Sequence, residues 1–550
     1  MSRDIDAADT AELAKLFGSR LVTVRPPVQG ADREAALADL LNPYFIEDEP
    51  GAYHTTGWLG AYEATHSPYA VAVESAADIA TAIRFARDHD VRLAVKGTGH
   101  DYLGRSSAPG SLLVWTHAMR EITVHDAFTP AGAPAGGERE IPAVTVGAGT
   151  RWLEVYQALI EHGRYAQGGG CTTVGAAGGF TQGGGFGSFS KRFGTAAGNV
   201  LEFEVVTADG EIVVVNAHQH PDLFWALRGG GGGTFGVVSK VTFRTHPIPE
   251  TVSVMTGTIR ASSDADYRRL VVTAIRLFPG LGRQHWGEQI KFTADNSIEM
   301  LMLAANLTND EAKKVWQPFL DWVGSQPKAY ESDASLSTIG YRQFWDDRWW
   351  DERSPQQICR DERPGQPARQ FWWAGNQSEV SQYVYAVQSR WIPAALFEES
   401  PFTLADALLR ASKIWAVELH AGKGLAGTPA DTLERERATS VNPAALDAGA
   451  LLVVAAQQEH AFPGVPGHEP DQALGATNAR HVGETMDLIR AITPDSGSYV
   501  NEADYFEPDW QRSFWGDNYP RLLEIKHKYD PADMFRVHHG VGSEGTAGST

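Results

Sequence analysis

Apolar and polar positions repeat with two periods along this chain, and the change from one to the other marks out its elements. From Pro68, the stretch PYAVAVESAADIATAIRFARDHDVRLAVKGTGH opens as a strand and shifts to helical spacing at Ile79, Ile83 and Ala86. It then returns to a strand that runs into glycines. Ser75, with Asp78 three positions on, gives a capping-box-like helix start. Trp152, Val155, Tyr156 and Leu159 share a face of a second helix, with Thr150 placed to cap it and Gly163 to stop it. VLEFEVVTADGEIVVV predicts a hairpin that turns at Asp209-Gly210. The first lobe therefore reads as α+β.

The pattern changes near His246-Pro-Ile-Pro249, where glycine clusters cease and tryptophan-rich, charged segments such as FWDDRWWDE begin. A domain boundary is expected there, giving 1–249 and 250–497. The runs SVMTGTI, IEMLMLAANL, IWAVELHA and ALLVVAAQQ predict strands of a second sheet, with helices between them covering one face. At Tyr499 the character changes again to YVNEADYF, followed by an aromatic-rich helix and the turn Asp530-Pro531. Residues 498–540 are expected to return to the first lobe, and the tail 541–550 to be disordered.

Length and charge narrow the classes of function. A chain of 550 residues exceeds what one hydrophobic core supports, so at least two lobes are expected. A formal net charge of -21 opposes nucleic-acid phosphates and anionic membrane surfaces, so neither is an expected partner. The two cysteines, Cys171 and Cys359, do not make a disulfide framework. The N-terminal MSRDIDAADTAELAKLFG lacks the basic start and apolar core of a secretory signal, and no apolar run is long enough to span a bilayer. The cytoplasm is the expected location, with secretion the alternative if a leader has been removed. Asn306 and Asn376 begin N-x-S/T sequons, which matter only in a secreted protein.

Three glycine-rich loops carry the candidate chemistry: KGTGHDYLGRSS at 96–107, GGGCTTVGAAGGFTQGGGFG at 168–187 and RGGGGGTFGVVS at 228–239. Backbone that approaches a pyrophosphate closely must be bare and must expose several N–H groups, which such turns provide. Gly97-Thr98-Gly99 begins like a Rossmann fingerprint, but Tyr102 stands where the third glycine belongs, and no Walker sequence occurs. Two loops carry nucleophiles, His100 and Cys171. On the residues alone, a hydrogen-bonded loop histidine and an inert buried thiol remain open readings.

GHDYLGRS, CTTVGAAGGFTQGGG, NVLEFEVVTADGEIVVV, DLFWALRGGGGGTFGVVS and the C-terminal YVNEAD with WGDNYPRLLEIKHKYDPADMF occur here in one order. In this they resemble the FAD-linked oxidases of the vanillyl-alcohol-oxidase superfamily, especially the berberine-bridge-enzyme-like branch. The resemblance covers roughly 60–250 and 495–540. It implies a PCMH-type FAD-binding lobe and a central substrate lobe whose antiparallel sheet roofs the flavin. It also implies FAD bonded twice, through His100 to the 8α carbon and through Cys171 to C6. The residues implied to hold the cofactor are Gly97, Thr98, Gly99, Asp101, Gly104 and Ser106 in the first loop, and Thr173, Val174, Gly175, Gly178, Gly179 and Gly183 in the second, with Gly236 and Val238 in the third. Thr172 departs from the usual C-P-T-V-G, and one extra residue lies between the cysteine and GGG, which puts transfer across 176–182 in doubt.

In this branch a valine at the position of Val174 accompanies oxidases and a leucine dehydrogenases, so the resemblance implies reoxidation by molecular oxygen with release of hydrogen peroxide. Tyr499 is the expected proton-transfer residue, with Asn501 on the same face of a strand and Tyr102 as a substrate contact. A free tyrosine titrates at about 10, so a cation or carboxylate from the central lobe is expected beside Tyr499. Glu418 with His420, and Gln457 with Glu459, alternate along candidate strands there, and each is otherwise a solvated face residue. Trp345, Trp349, Trp350, Trp372 and Trp373 are expected in a pocket or in the core. The expected function is an FAD-dependent oxidase taking hydride from a C–H bond next to oxygen or nitrogen in a carbohydrate, alcohol or secondary metabolite. No metal is expected. The alternatives are a dehydrogenase of the same fold and a non-catalytic flavoprotein that sequesters metabolites.

Overall fold

The structure, a computed structural model, describes residues 3–28, 33–134 and 140–544. Most of the tail expectation thus lies outside the described residues, while 541–544 form turns. The strand–helix–strand reading holds, with strands Tyr69–Ala72 and Leu93–Lys96 flanking helix Ala76–Asp88. Ser75 caps that helix by accepting from the Asp78 N–H, but the Asp78 carboxylate takes the N–H of Glu74 instead of Ser75. The predicted hairpin pairs Val200–Val206 with Ile212–Asn216, and Gly210 supplies φ +78° in the turn. These strands belong to two sheets of four and five strands; the first glycine loop leaves Leu93–Lys96 of one, the third enters Val237–Arg244 of the other, and the second follows Arg164–Tyr165 of a separate two-stranded sheet.

The second predicted helix runs Trp152–Glu161, one residue later than Thr150 would place it. Arg151 is the cap residue, and Glu154 accepts its N–H at 2.9 Å. The Arg151 side chain is drawn to two acidic groups, Glu47 and Asp48. Ion pairing fixes this helix end more firmly than a neutral hydroxyl would.

All four apolar runs of the second half become strands of one ten-stranded sheet: Thr251–Ala261, Ser297–Ala305, Val417–His420 and Ala448–Gln458. The described pairings within it are antiparallel except that between Thr55–Trp58 and Gln382–Pro393, which is parallel. Through Thr55–Trp58 and Tyr62–Glu63 the N-terminal segment itself completes the sheet edge, so the sheet is not drawn from 250–497 alone. Helices Asp264–Arg283, Pro401–Ser412 and Gln472–Arg490 cover one face, burying Tyr267, Val271, Ile275, Leu408 and Met486 against Ile290, Leu419 and Leu452. Period-two alternation turns the other side chains, among them Lys291, Glu418 and His420, towards the first lobe. A large cavity lies between that sheet face and the glycine loops.

Candidate functional site

The cavity encloses about 1620 Å³, more than a single drug-sized ligand requires. Its floor is glycine backbone. A Cβ at Gly178 or Gly179 would meet nothing within 4 Å and would project into open space, so these two positions keep the floor bare. Other loop glycines answer to packing. Gly99 adopts φ +83°, and a Cβ there would lie 2.8 Å from Lys96 Cε. At Gly104 (φ +73°) a Cβ would strike the Tyr62 ring. Gly183 does not line the cavity: it lies behind Asn501, whose amide a Cβ would meet at 2.4 Å.

The first two loops are tied together by side chains. Thr98 Oγ1 accepts the Gly175 N–H at 3.0 Å, and Asp101 holds the Arg105 backbone N–H and guanidinium. Asp101 therefore shapes its own loop. The first loop is also fixed from beneath by Lys96, which is fully buried and donates to the carbonyls of Ile46, Glu49 and Ala52. Burial pushes its ammonium down to about 8. In this way the segment 43–54, unmarked in the sequence reading, is held against the loop that carries His100.

His100 and Cys171 meet at Thr173. The Thr173 hydroxyl lies 2.9 Å from His100 Nε2 and 3.5 Å from Cys171 Sγ. Thr173 does not line the cavity itself, whereas His100, Cys171, Val174, Gly175, Gly97, Ser106, Gly236 and Val238 all do. Burial and Glu379 push the Cys171 thiol up to about 11. Beside it, Trp373 Nε1 donates to the Gly170 carbonyl at 3.0 Å.

Tyr499 and Asn501 come together, but not as strand neighbours. Residues 499–502 form a turn closed by the Glu502 N–H on the Tyr499 carbonyl at 2.9 Å, because the chain must bend there to reach back to the glycine loop. Asn501 Nδ2 then donates to the Tyr499 hydroxyl at 3.0 Å and to the Gly179 carbonyl at 3.1 Å. The Gly185 N–H also points at the hydroxyl, at 3.4 Å. No central-lobe group appears among these partners. Glu502 is paired with Lys423 at 2.5 Å, and burial together with the Glu502 carboxylate raises the Tyr499 phenol above its ordinary range. Tyr102 donates its hydroxyl to Glu379 at 3.1 Å, and burial raises that carboxyl.

The sheet face above is charged. Cross-strand register sets Lys291 opposite Glu418, with Nζ and carboxylate 3.2 Å apart, and His420 Nε2 is 3.4 Å from the same carboxyl group. Burial opposes the Glu418 charge, but His420 and Lys291 outweigh it and hold the carboxyl down at about 2. Gln457 lines the cavity as well, whereas Glu459 is exposed on the outside. Trp345, Trp349, Trp350 and Trp373 form an aromatic wall, with the Trp350 and Trp373 rings edge to face at 5.4 Å. Trp372 is turned away and buried, donating to Gln377.

The FAD-binding-domain family matches residues 67–216, and the berberine and berberine-like family matches residues 498–542. The FAD-linked oxidoreductase ZEB1 of Gibberella zeae is 34% identical over 486 residues, covering 86% of this chain and 76% of its own length. The chain belongs to the FAD-linked oxidoreductases. The crystal structure of the VAO-type flavoprotein MtVAO615 from Myceliophthora thermophila superposes with a TM-score of 0.80 at 28% identity, covering 98% of this chain and 96% of that one. The fold is shared with glucooligosaccharide oxidase of Acremonium strictum, described with a 6-S-cysteinyl, 8α-N1-histidyl FAD (TM-score 0.65, 20% identity, 87% of this chain and 92% of that one). This FAD-linked oxidoreductase thus presents its matched glycine loops on the cavity floor, and the bare backbone at Gly178 and Gly179 suits a dinucleotide. Glu47, His54 and Glu379 escaped the sequence reading because single polar residues far from the loops carry no periodic signal.

Proposed function

We propose that the protein is an oxidase holding FAD through His100 and Cys171, and that it acts on an alcohol, carbohydrate or secondary metabolite at a C–H bond next to oxygen or nitrogen. The carrying observation is that His100 Nε2 and Cys171 Sγ both reach the Thr173 hydroxyl on the wall of one cavity. The doubly linked flavin described for the glucooligosaccharide oxidase uses the same two residue types. FAD held by these two residues would supply a hydride acceptor for the substrate and, with oxygen as the final acceptor, a route to hydrogen peroxide.

Tyr499 assists removal of the substrate hydroxyl or amine proton. Burial opposes the phenolate that this needs, whereas the Asn501 amide and the Gly185 N–H, both aimed at the oxygen, favour it. Asn501 also fixes the distance between Tyr499 and the glycine floor. Lys291, Glu418 and His420 hold polar groups of the substrate from above, and the tryptophan wall packs its apolar or ring faces. Val174, on the cavity wall, leaves space for oxygen.

A panel of alcohols, oligosaccharides and amines, read by peroxide release, tests the activity. Acid precipitation tests the linkage: flavin should stay with the protein pellet, and its appearance in the supernatant would refute the covalent reading. Substrate reduction followed by slow reoxidation in air would make the enzyme a dehydrogenase.

A further inference from the structure

A second histidine lies against the first. The His54 ring stacks on His100 with centroids 3.7 Å apart and planes 22° from parallel. Between them, Glu47 Oε1 is 3.3 Å from His100 Nε2 and 3.6 Å from His54 Nε2. Glu47 and His54 are almost wholly buried, and among the described residues neither His54 ring nitrogen has a hydrogen-bond partner. Unpartnered buried polar atoms call for a role. Among the described residues, the polar contacts of His100, to Glu47 and to Thr173, fall on Nε2 and none falls on Nδ1.

The three side chains offer ligand atoms within 4.8 Å of one another, as a metal site would. The local charge speaks against a cation. The other Glu47 oxygen is already paired with the Arg151 guanidinium, and the Lys96 ammonium also acts on this carboxylate's surroundings. Arg151 and the two histidines overcome the effect of burial and keep Glu47 ionised, while burial pushes His54 down to about 3, so it is neutral. An ionised carboxylate facing one imidazole nitrogen selects the tautomer with its proton on that nitrogen.

We propose that Glu47 and His54 are positioning residues for flavin attachment: Glu47 holds the proton on His100 Nε2 so that Nδ1 is the free nucleophile, and His54 fixes the ring plane by stacking. The inference rests on His100 being an attachment site. In the attachment step one C–N bond forms at Nδ1 as one C–H bond of the flavin 8-methyl group breaks. The electron pair of that C–H bond and its proton enter the ring system, which is thereby reduced, and the Nε2 proton passes to Glu47. Dioxygen is the oxidant that removes the electron pair afterwards, taking the ring's added proton and the one held by Glu47 to leave as hydrogen peroxide. Arg151, paired with its other oxygen, keeps Glu47 charged and so available as the acceptor.

The test is made in Cys171→Ala protein, where His100 is the sole expected attachment. Flavin released by acid precipitation and the mass of the His100 peptide are compared in that background with Glu47→Gln, Glu47→Asp and His54→Asn added. The expected result is stable attachment in the Cys171→Ala parent and attachment slowed at least about tenfold by Glu47→Gln and His54→Asn. Glu47→Asp, and incubation of the Gln variant at alkaline pH, should restore part of it, which loss of packing alone would not allow. Attachment at the parental rate in Glu47→Gln and His54→Asn overturns the inference. So does a stoichiometric metal that a chelator removes along with attachment. Complete flavin release from the Cys171→Ala parent overturns the attachment reading of His100 first, and the inference with it. If Glu47→Gln fails to accumulate as folded protein, His54→Asn and Glu47→Asp decide the question.

Discussion

Asn501 donates its side-chain amide to the Tyr499 hydroxyl at 3.0 Å across a tight turn. A buried phenol whose oxygen receives donors has its phenolate favoured by them, against the burial that opposes it. Substrate reduction of the flavin should therefore accelerate as pH rises into the alkaline range. Tyr499→Phe should slow anaerobic flavin reduction by about 10²–10⁴ and flatten that rise, with flavin content unchanged. Asn501→Ala removes one donor worth about 1 kcal/mol and should move the rise to higher pH. Stopped-flow reduction across a pH series measures both, and a Phe variant as fast as wild type would remove Tyr499 from the chemistry.

Val174 stands on the cavity wall three residues after Cys171. Val174→Leu adds one methylene at the wall and should slow reoxidation of the reduced enzyme by air at least about tenfold, which equals about 1.4 kcal/mol of barrier. Anaerobic reduction by substrate should be nearly unchanged. Mixing reduced enzyme with air-saturated buffer distinguishes the two half-reactions.

Arg151 and Glu47 form a buried ion pair, with both side chains at 1% exposure or less. Removing one partner leaves an uncompensated charge in the interior, so Arg151→Ala should destabilise the fold by roughly 3–5 kcal/mol in chemical denaturation. Arg87→Ala, at an exposed pair with Asp88, should change stability by less than about 1 kcal/mol. Similar losses in the two variants would contradict the assignment of burial.

Glu436 lies buried under the loop after the second glycine run and accepts from Thr195 N–H and Oγ1 at 2.9 and 2.7 Å. Burial raises its carboxyl to about 7 despite those donors. A raised carboxyl means that the folded state holds its proton more tightly than the unfolded chain does. Folded stability should therefore fall as pH rises from the ordinary carboxylate range, near 4.5, to about 7, and the effect should level off above that. Glu436→Gln should remove this pH dependence, by roughly 3 kcal/mol at most. Thermal melts of both proteins between pH 4.5 and 8 provide the comparison, and parallel curves would refute it.

Several elements were legible because each element declares its faces locally. Ile79, Ile83 and Ala86 mark a helix face, and Glu418 with His420 mark a strand face that does turn to the cavity. Strand Gln382–Pro393 escaped the reading because it is buried at nearly every position and so shows no alternation. The cap at Arg151 and the turn at Tyr499 escaped it because distant partners, Glu47 and the glycine floor, decide their conformation.

The sequence by itself determined the three glycine loops, the placing of His100 and Cys171 within them, the strand and helix periods and the flavin family that they imply. Only the tertiary structure decided that Thr173 joins His100 to Cys171, that His54 and Glu47 close on His100 from a segment about fifty positions upstream, and that Lys291 meets Glu418 over the cavity. Periodicity records which side of an element is buried, a local property of the chain. Which residues then face one another across a cavity depends on how separate elements pack, and no spacing in the sequence records that.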